Sequence, residues 1–104
     1  MAIDAIYPSL KDKTVLITGG GSGIGEALTR AFIEQSAKVG FLDYDKAASE
    51  TLAAELDSPD LHFEYCDLRD IDALQVAVKA VSAKLGPIRI LVNNAARDDR
   101  CLLY

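Results

Sequence analysis

Thr14-Val15-Leu16-Ile17-Thr18-Gly19-Gly20-Gly21-Ser22-Gly23-Ile24-Gly25 is the stretch on which the fold turns. Its first five residues are a β-branched, apolar run without alternation, as expected of a strand buried on both faces. Glycines follow at once, and then Ile24, Leu28, Ala31 and Phe32 recur at helical spacing. A strand, a glycine turn and a helix therefore follow one another with almost no linker. Such a turn brings bare main chain close to a ligand, and the first turn of the helix offers unpaired N–H groups and a positive dipole end to an anion. A nucleoside-triphosphate loop is excluded, because Glu26 follows Gly25 where that motif needs Gly-Lys-Ser/Thr. The rival reading is a glycine-rich turn that holds nothing.

The same alternation continues outward. Lys38 to Asp43 reads as a second strand, and Asp45 as the N-cap of a helix from Lys46 to about Leu56 with Ala48, Leu52 and Leu56 inward. Ser58-Pro59-Asp60 breaks the chain before a third strand, Leu61 to Cys66. Asp70 caps a helix whose Ile71, Leu74, Val78, Val81 and Leu85 form one stripe, and Gly86-Pro87 stops it. Ile88 to Val92 is a fourth strand leading into Asn93-Asn94-Ala95-Ala96. Four strands joined by three helices predict an α/β fold, a partial Rossmann fold: a four-stranded parallel sheet of order 3-2-1-4 with three crossover helices. Residues 1–104 are expected to form one domain. In such sheets ligands lie outside the carboxyl ends of the strands, where the strand order reverses.

Composition sets outer bounds. The chain has 104 residues, half of them hydrophobic, and a net charge of −5. That charge argues against a nucleic-acid partner, which calls for clustered Lys and Arg. No apolar run approaches the roughly 20 residues of a membrane span, and Met1-Ala2-Ile3-Asp4 has no secretory character. Cys66 and Cys101 lack metal or redox spacing and read as free thiols of a reducing compartment, so a cytoplasmic location is expected.

Candidate binding residues fall on the strand ends. Gly19, Ser22, Gly23, Ile24 and Gly25 would surround a pyrophosphate. Asp43, 18 residues beyond Gly25, can accept from adenosine ribose hydroxyls and repels a 2′-phosphate. Neither Ser22 nor Tyr44 supplies a cation for NADP, so NAD is the expected cofactor. The rival for Asp43 is a turn-forming Asp at a strand end. Asp67 could accept from the adenine amino group with Leu68 as an apolar wall, or it could cap a helix. Asn93 and Asn94 could tie strand four to its neighbours or meet a ribose.

Taken together, these features resemble the short-chain dehydrogenase/reductase family. Thr18 to Gly25 match its glycine motif, Asp43 its NAD-selecting acid and Asp67-Leu68 its adenine-pocket motif. Asn93-Asn94-Ala95-Ala96 matches the Asn-Asn-Ala-Gly motif except at Ala96. The resemblance implies an NAD-dependent oxidoreductase that takes a hydride from an alcohol or sugar hydroxyl. Ile6 to Lys11 and Asp98-Asp99-Arg100 look like the branch that oxidises aldoses at C1. The family's active site uses a Ser, a Tyr-x-x-x-Lys pair and a helical Asn, all beyond strand four. Tyr7-Pro8-Ser9-Leu10-Lys11 fits Tyr-x-x-x-Lys only literally, since it precedes strand one and contains Pro8. The chain thus reads as the cofactor-binding part alone, truncated after strand four, and no catalytic residue is assigned within it.

Other readings stay open. One is an inactive NAD-binding or subunit-interaction fragment that self-associates through the apolar edge of strand four. A methyltransferase using S-adenosylmethionine shares a glycine loop, but that fold usually carries an acid where this chain has Ile17-Thr18. His62 and Cys66 share one side of a strand, yet two possible ligands without a third are expected to be sheet residues rather than a metal site.

Overall fold

The computed structural model describes residues 8–21 and 23–94. After a 3₁₀ turn at Pro8–Leu10 come β1 (Thr14–Thr18), α1 (Gly23–Glu34), β2 (Lys38–Asp43) and α2 (Lys46–Leu56). β3 (Leu61–Tyr65), α3 (Ile71–Leu85) and β4 (Ile88–Asn93) complete the order. The sheet is parallel throughout, in the order β3-β2-β1-β4. Both strand ends shift by one residue from the sequence-based expectation. Cys66 falls just outside β3, though its N–H still donates to the Asp43 carbonyl at 3.0 Å, and β4 reaches Asn93.

Every residue of β1 is buried, as its unbroken apolar run requires of a central strand. Alternate side chains feed two cores. Val15, Ile17, Val39 and Phe41 face α1 and α2, joined by Leu52 and flanked by Leu28, Phe32 and Leu56. Phe41 stacks on Phe63 with ring centroids 5.1 Å apart. Leu16 and Leu42 face α3 and meet Ala77, Val81 and Leu85. Gly40 lets that helix settle directly on the sheet, because a Cβ at Gly40 would lie 2.4 Å from Val81 Cγ1. The caps are as expected. Asp45 accepts from the Ala48 N–H and Asp70 from the Ala73 N–H, each at 3.1 Å.

Three apolar positions depart from the expected stripes. Ile24 is 73% exposed and Ile71 68% exposed. Both sit in the first turn of a helix, beyond the strand ends, where no sheet lies beneath them. On α2 the inward residue is Ser49, fully buried, while Ala48 is only half-buried.

At the start of β4 the pairing slips. Thr14 lies opposite Ile88 but Val15 opposite Ile90, so Arg89 is an extra residue in the ladder. Ile88 then packs with the α3 core and Ile90 with the opposite one.

Cys66 is free and buried among Leu16, Leu42 and Val81. Burial pushes its thiol pKa up, with Asp67, Asp70 and Glu64 adding to the effect. A raised pKa means the fold favours the neutral thiol. That contribution is present at neutral pH and is lost as pH climbs through the raised value. Iodoacetamide should therefore label Cys66 slowly in the native chain and quickly after denaturation, as read by peptide mass mapping. Rapid native labelling would contradict this burial.

His62 Nε2 lies 2.7 Å from Glu64 Oε1 on one face of β3. Among the described residues no three His, Cys, Asp or Glu side chains come together as metal ligands. Nor is any described helix long and apolar enough to cross a membrane.

Candidate functional site

The carboxyl ends of the strands bring the singled-out residues together. Gly19 leaves β1 in a left-handed conformation (φ 71°) and its N–H donates to the Leu42 carbonyl at 2.6 Å. That bond carries the loop over the end of β2. There the Gly21 N–H donates to Asp43 Oδ2 at 3.0 Å, while Asp45 N–H donates to Asp43 Oδ1 at 2.9 Å. Asp43 is 7% exposed. It thus does the turn-forming work of the rival reading and also anchors the glycine loop.

Gly25 and Gly23 are glycines for different reasons. At Gly25 a Cβ would stand 1.7 Å from the Gly19 carbonyl oxygen and 2.7 Å from Asn94 Nδ2. The helix packs against the loop with no room for a methyl group. Gly23 has φ 60° and open space around it, so its demand is conformational. Among the described residues nothing covers the first turn of α1, where Gly23 and Ile24 are both exposed.

The two asparagines tie strands together. Thr18 Oγ1 donates to Asn93 Oδ1 at 3.0 Å and accepts from the Asn94 N–H at 3.0 Å. Asn94 Nδ2 donates to the Gly19 carbonyl at 3.1 Å. Of the two uses open to these residues, the structure displays the bracing of β4 to β1 and the loop.

Asp67 does not cap α3, a role that Asp70 fills. Its Oδ1 accepts from the Arg69 N–H and Nε, both at 3.0 Å, and its Oδ2 from Arg69 Nη2 at 2.8 Å. The fork holds the carboxylate at the surface, and it keeps Arg69 protonated to higher pH. Leu68 is half-buried and packs onto the α3 core. Ser22 and Ala95 lie outside the described residues, as do Ala96, Tyr7 and the stretch from Asp98 to Tyr104.

Two residues that sequence reasoning passed over help to build the site. Thr29 is fully buried, and its hydroxyl lies 2.9 Å from the Gly25 carbonyl and 3.1 Å from that of Gly20, stitching helix to loop. A Thr four residues after the last glycine was the available signal, since such hydroxyls bond back to the i−4 carbonyl. Ser49 lies beneath Gly21, and its signal was a polar residue in register with Leu52 and Leu56 on the inner face of α2. An open groove of about 320 Å³ runs from Gly21 between α1 and α2, bridged by Arg30, which pairs with Glu26 at 3.0 Å and with Glu55.

Residues 13–102 match the short chain dehydrogenase family. The chain belongs to the short-chain dehydrogenase family. "Probable galactose dehydrogenase GalD" of Rhizobium meliloti is 49% identical over 98 residues, which cover 90% of this chain and 38% of that protein. D-xylose 1-dehydrogenase of Caulobacter vibrioides is 50% identical over 98 residues, covering 92% and 38%. The chain thus spans 38% of the length of these two relatives. Among solved structures, the 3-ketoacyl-(acyl-carrier-protein) reductase from Brucella melitensis, complexed with NADH, superposes with a TM-score of 0.75 at 36% identity. That match covers 79% of this chain and 34% of the reductase. An apo SCOR enzyme from Clostridium thermocellum gives 0.76 at 39% identity, covering 82% and 34%. Both likenesses agree with the Rossmann-like topology, and short-chain dehydrogenases work with a nicotinamide nucleotide and a substrate.

Proposed function

We propose that this chain is the NAD-binding part of a short-chain dehydrogenase that oxidises a sugar or alcohol hydroxyl. One observation carries the reading: a buried carboxylate, Asp43, is bonded to a glycine loop that is packed without side chains against the amino end of α1. A dinucleotide asks for that combination, with room for a diphosphate at the helix end and an anionic acceptor for the ribose one strand away. In this reading the diphosphate settles at Gly23, Ile24 and Gly25, with Gly19 shaping the turn and Ser22 beside them. Asp43 accepts from the ribose, Asp67 and Leu68 meet the adenine, and Asn93, Asn94 and Ala95 border the far end of the cofactor. NAD supplies the hydride acceptor when bound, and the chain's own residues bind and orient it.

The charge of Asp43 argues for NAD over NADP, because a 2′-phosphate would approach a carboxylate that is nearly out of water. Calorimetric titration should show NAD binding at least about tenfold more tightly than NADP, a difference of roughly 1.4 kcal/mol. Equal affinities would end the NAD assignment. A sugar hydroxyl as substrate draws support from the names of the relatives at 49% and 50% identity. Family membership favours a dehydrogenase over the methyltransferase reading. A cytoplasmic setting draws support from the free thiol of Cys66.

A second reading rests on β4. Among the described residues it forms one edge of the sheet, and Leu91 within it is 63% exposed, an apolar side chain beside main chain that could take a further strand. Self-association through that edge predicts concentration-dependent sedimentation that Leu91→Lys weakens. A monomer at every concentration would dismiss it.

A further inference from the structure

Ser49 is fully buried, and among the described residues its Oγ is the one buried side-chain oxygen or nitrogen without a hydrogen-bond partner. Helical hydroxyls ordinarily avoid that fate by bonding back one turn. Thr51 does so on the same helix, donating to the Ala47 carbonyl at 2.9 Å, and Thr29 does so on α1. Ser49 instead points at the underside of the glycine loop. A Cβ built on Gly21 would stand 2.2 Å from Ser49 Oγ and 3.0 Å from Asp43 Oδ2, so the two oxygens flank one small space. Between them only the Gly21 N–H is used, and it donates to Asp43 Oδ2. Asp43 Oδ1 is committed to the Asp45 N–H that starts α2. Any change at this carboxylate therefore falls on Oδ2.

We propose that Ser49 is a positioning residue of the ribose site, a donor held in reserve for Asp43. When the nucleotide settles on the loop and draws Gly21 off the carboxylate, the Ser49 O–H replaces the Gly21 N–H on Asp43 Oδ2. The second lone pair of that oxygen is left to accept a ribose hydroxyl. The Gly21 N–H, released at the edge of the groove, turns to the nucleotide or to water. A hydroxyl without a partner is costly when buried in the free chain, and recovering one on binding makes it useful. The inference rests on the NAD reading above and adds to it a residue and a change of partner.

The test compares the 104-residue chain with Ser49→Ala in two measurements: thermal unfolding without ligand, and calorimetric titration with NAD and with ADP-ribose. Ser49→Ala should unfold at a temperature no lower than the parent chain, since it loses no bond. It should bind both nucleotides roughly 5- to 30-fold more weakly. Ser49→Cys, similar in size but a weak donor, should fall between the two. Unchanged nucleotide affinity in Ser49→Ala would overturn the role of Ser49 and leave the NAD reading standing. A lower unfolding temperature without ligand would also overturn it, by showing that the hydroxyl already has a partner. If the parent chain itself takes up neither nucleotide, the NAD reading falls and this inference falls with it.

Discussion

Gly25→Ala is expected to unfold roughly 10–20 °C below the parent chain and to show no measurable NAD binding. The added methyl would sit 1.7 Å from the Gly19 carbonyl oxygen and 2.7 Å from its carbon, and both are backbone atoms. Neither side can yield cheaply. Gly19 is held by its N–H on Leu42 and by Asn94 Nδ2 on its carbonyl, while the Gly25 carbonyl is held by Thr29. Overpacking of this kind costs about 3 kcal/mol or more, and relief would push α1 away from the loop it lies against. Gly23→Ala is the control. Its methyl would meet open space, so only the left-handed backbone is penalised, at about 1–2 kcal/mol. Circular-dichroism melts of the two variants separate want of room from want of conformational freedom. Equal melting of Gly25→Ala and the parent chain would refute the packing described.

Asp43→Ala should cost about 3 kcal/mol of stability and at least roughly a hundredfold in NAD affinity. Two backbone N–H groups, on Gly21 and Asp45, give their bonds to this one carboxylate. Bonds to a charged group are worth about 1.5–3 kcal/mol each, and without an acceptor a buried N–H adds its own desolvation cost. Asp43→Asn is no rescue. Its amide can accept through Oδ1 alone, so its NH₂ must face either the Gly21 or the Asp45 N–H, donor against donor. Asparagine should therefore stand closer to alanine than to aspartate in both unfolding and titration. Retention of parent affinity by either variant would remove Asp43 from the proposed ribose site.

Much of the framework is legible in the order of residues alone. Chain order with short links dictates a parallel sheet, and Asp45, Asp70 and Gly86 mark helix ends because capping is a local chemical act. Local patterns do not carry where one element stops above another. Ile24 and Ile71 satisfy the helical period, yet they overhang the sheet. Ala48 and Ser49 are neighbours, and period alone does not say which of them faces Gly21. The binding residues are legible as types at spacings, but their partners are not. That Arg69 grips Asp67, and that Thr18 braces both asparagines, comes from tertiary placement.

The extra residue at the start of β4 has its own bearing on how that strand can vary. Ile88 and Ile90 stand two apart in sequence, a spacing that in an unbroken strand puts both side chains on one side. They serve opposite cores only because Arg89 takes up a half-step. Omit Arg89, and Ile88 and Ile90 become neighbours that still point to opposite sides, with Thr14 and Val15 meeting the same partners in unbroken sequence. Omit Leu91 instead, and the residues on one side of the gap turn the wrong way. Position 89 is thus the place in this strand where chain length can change without inverting the rest of the strand.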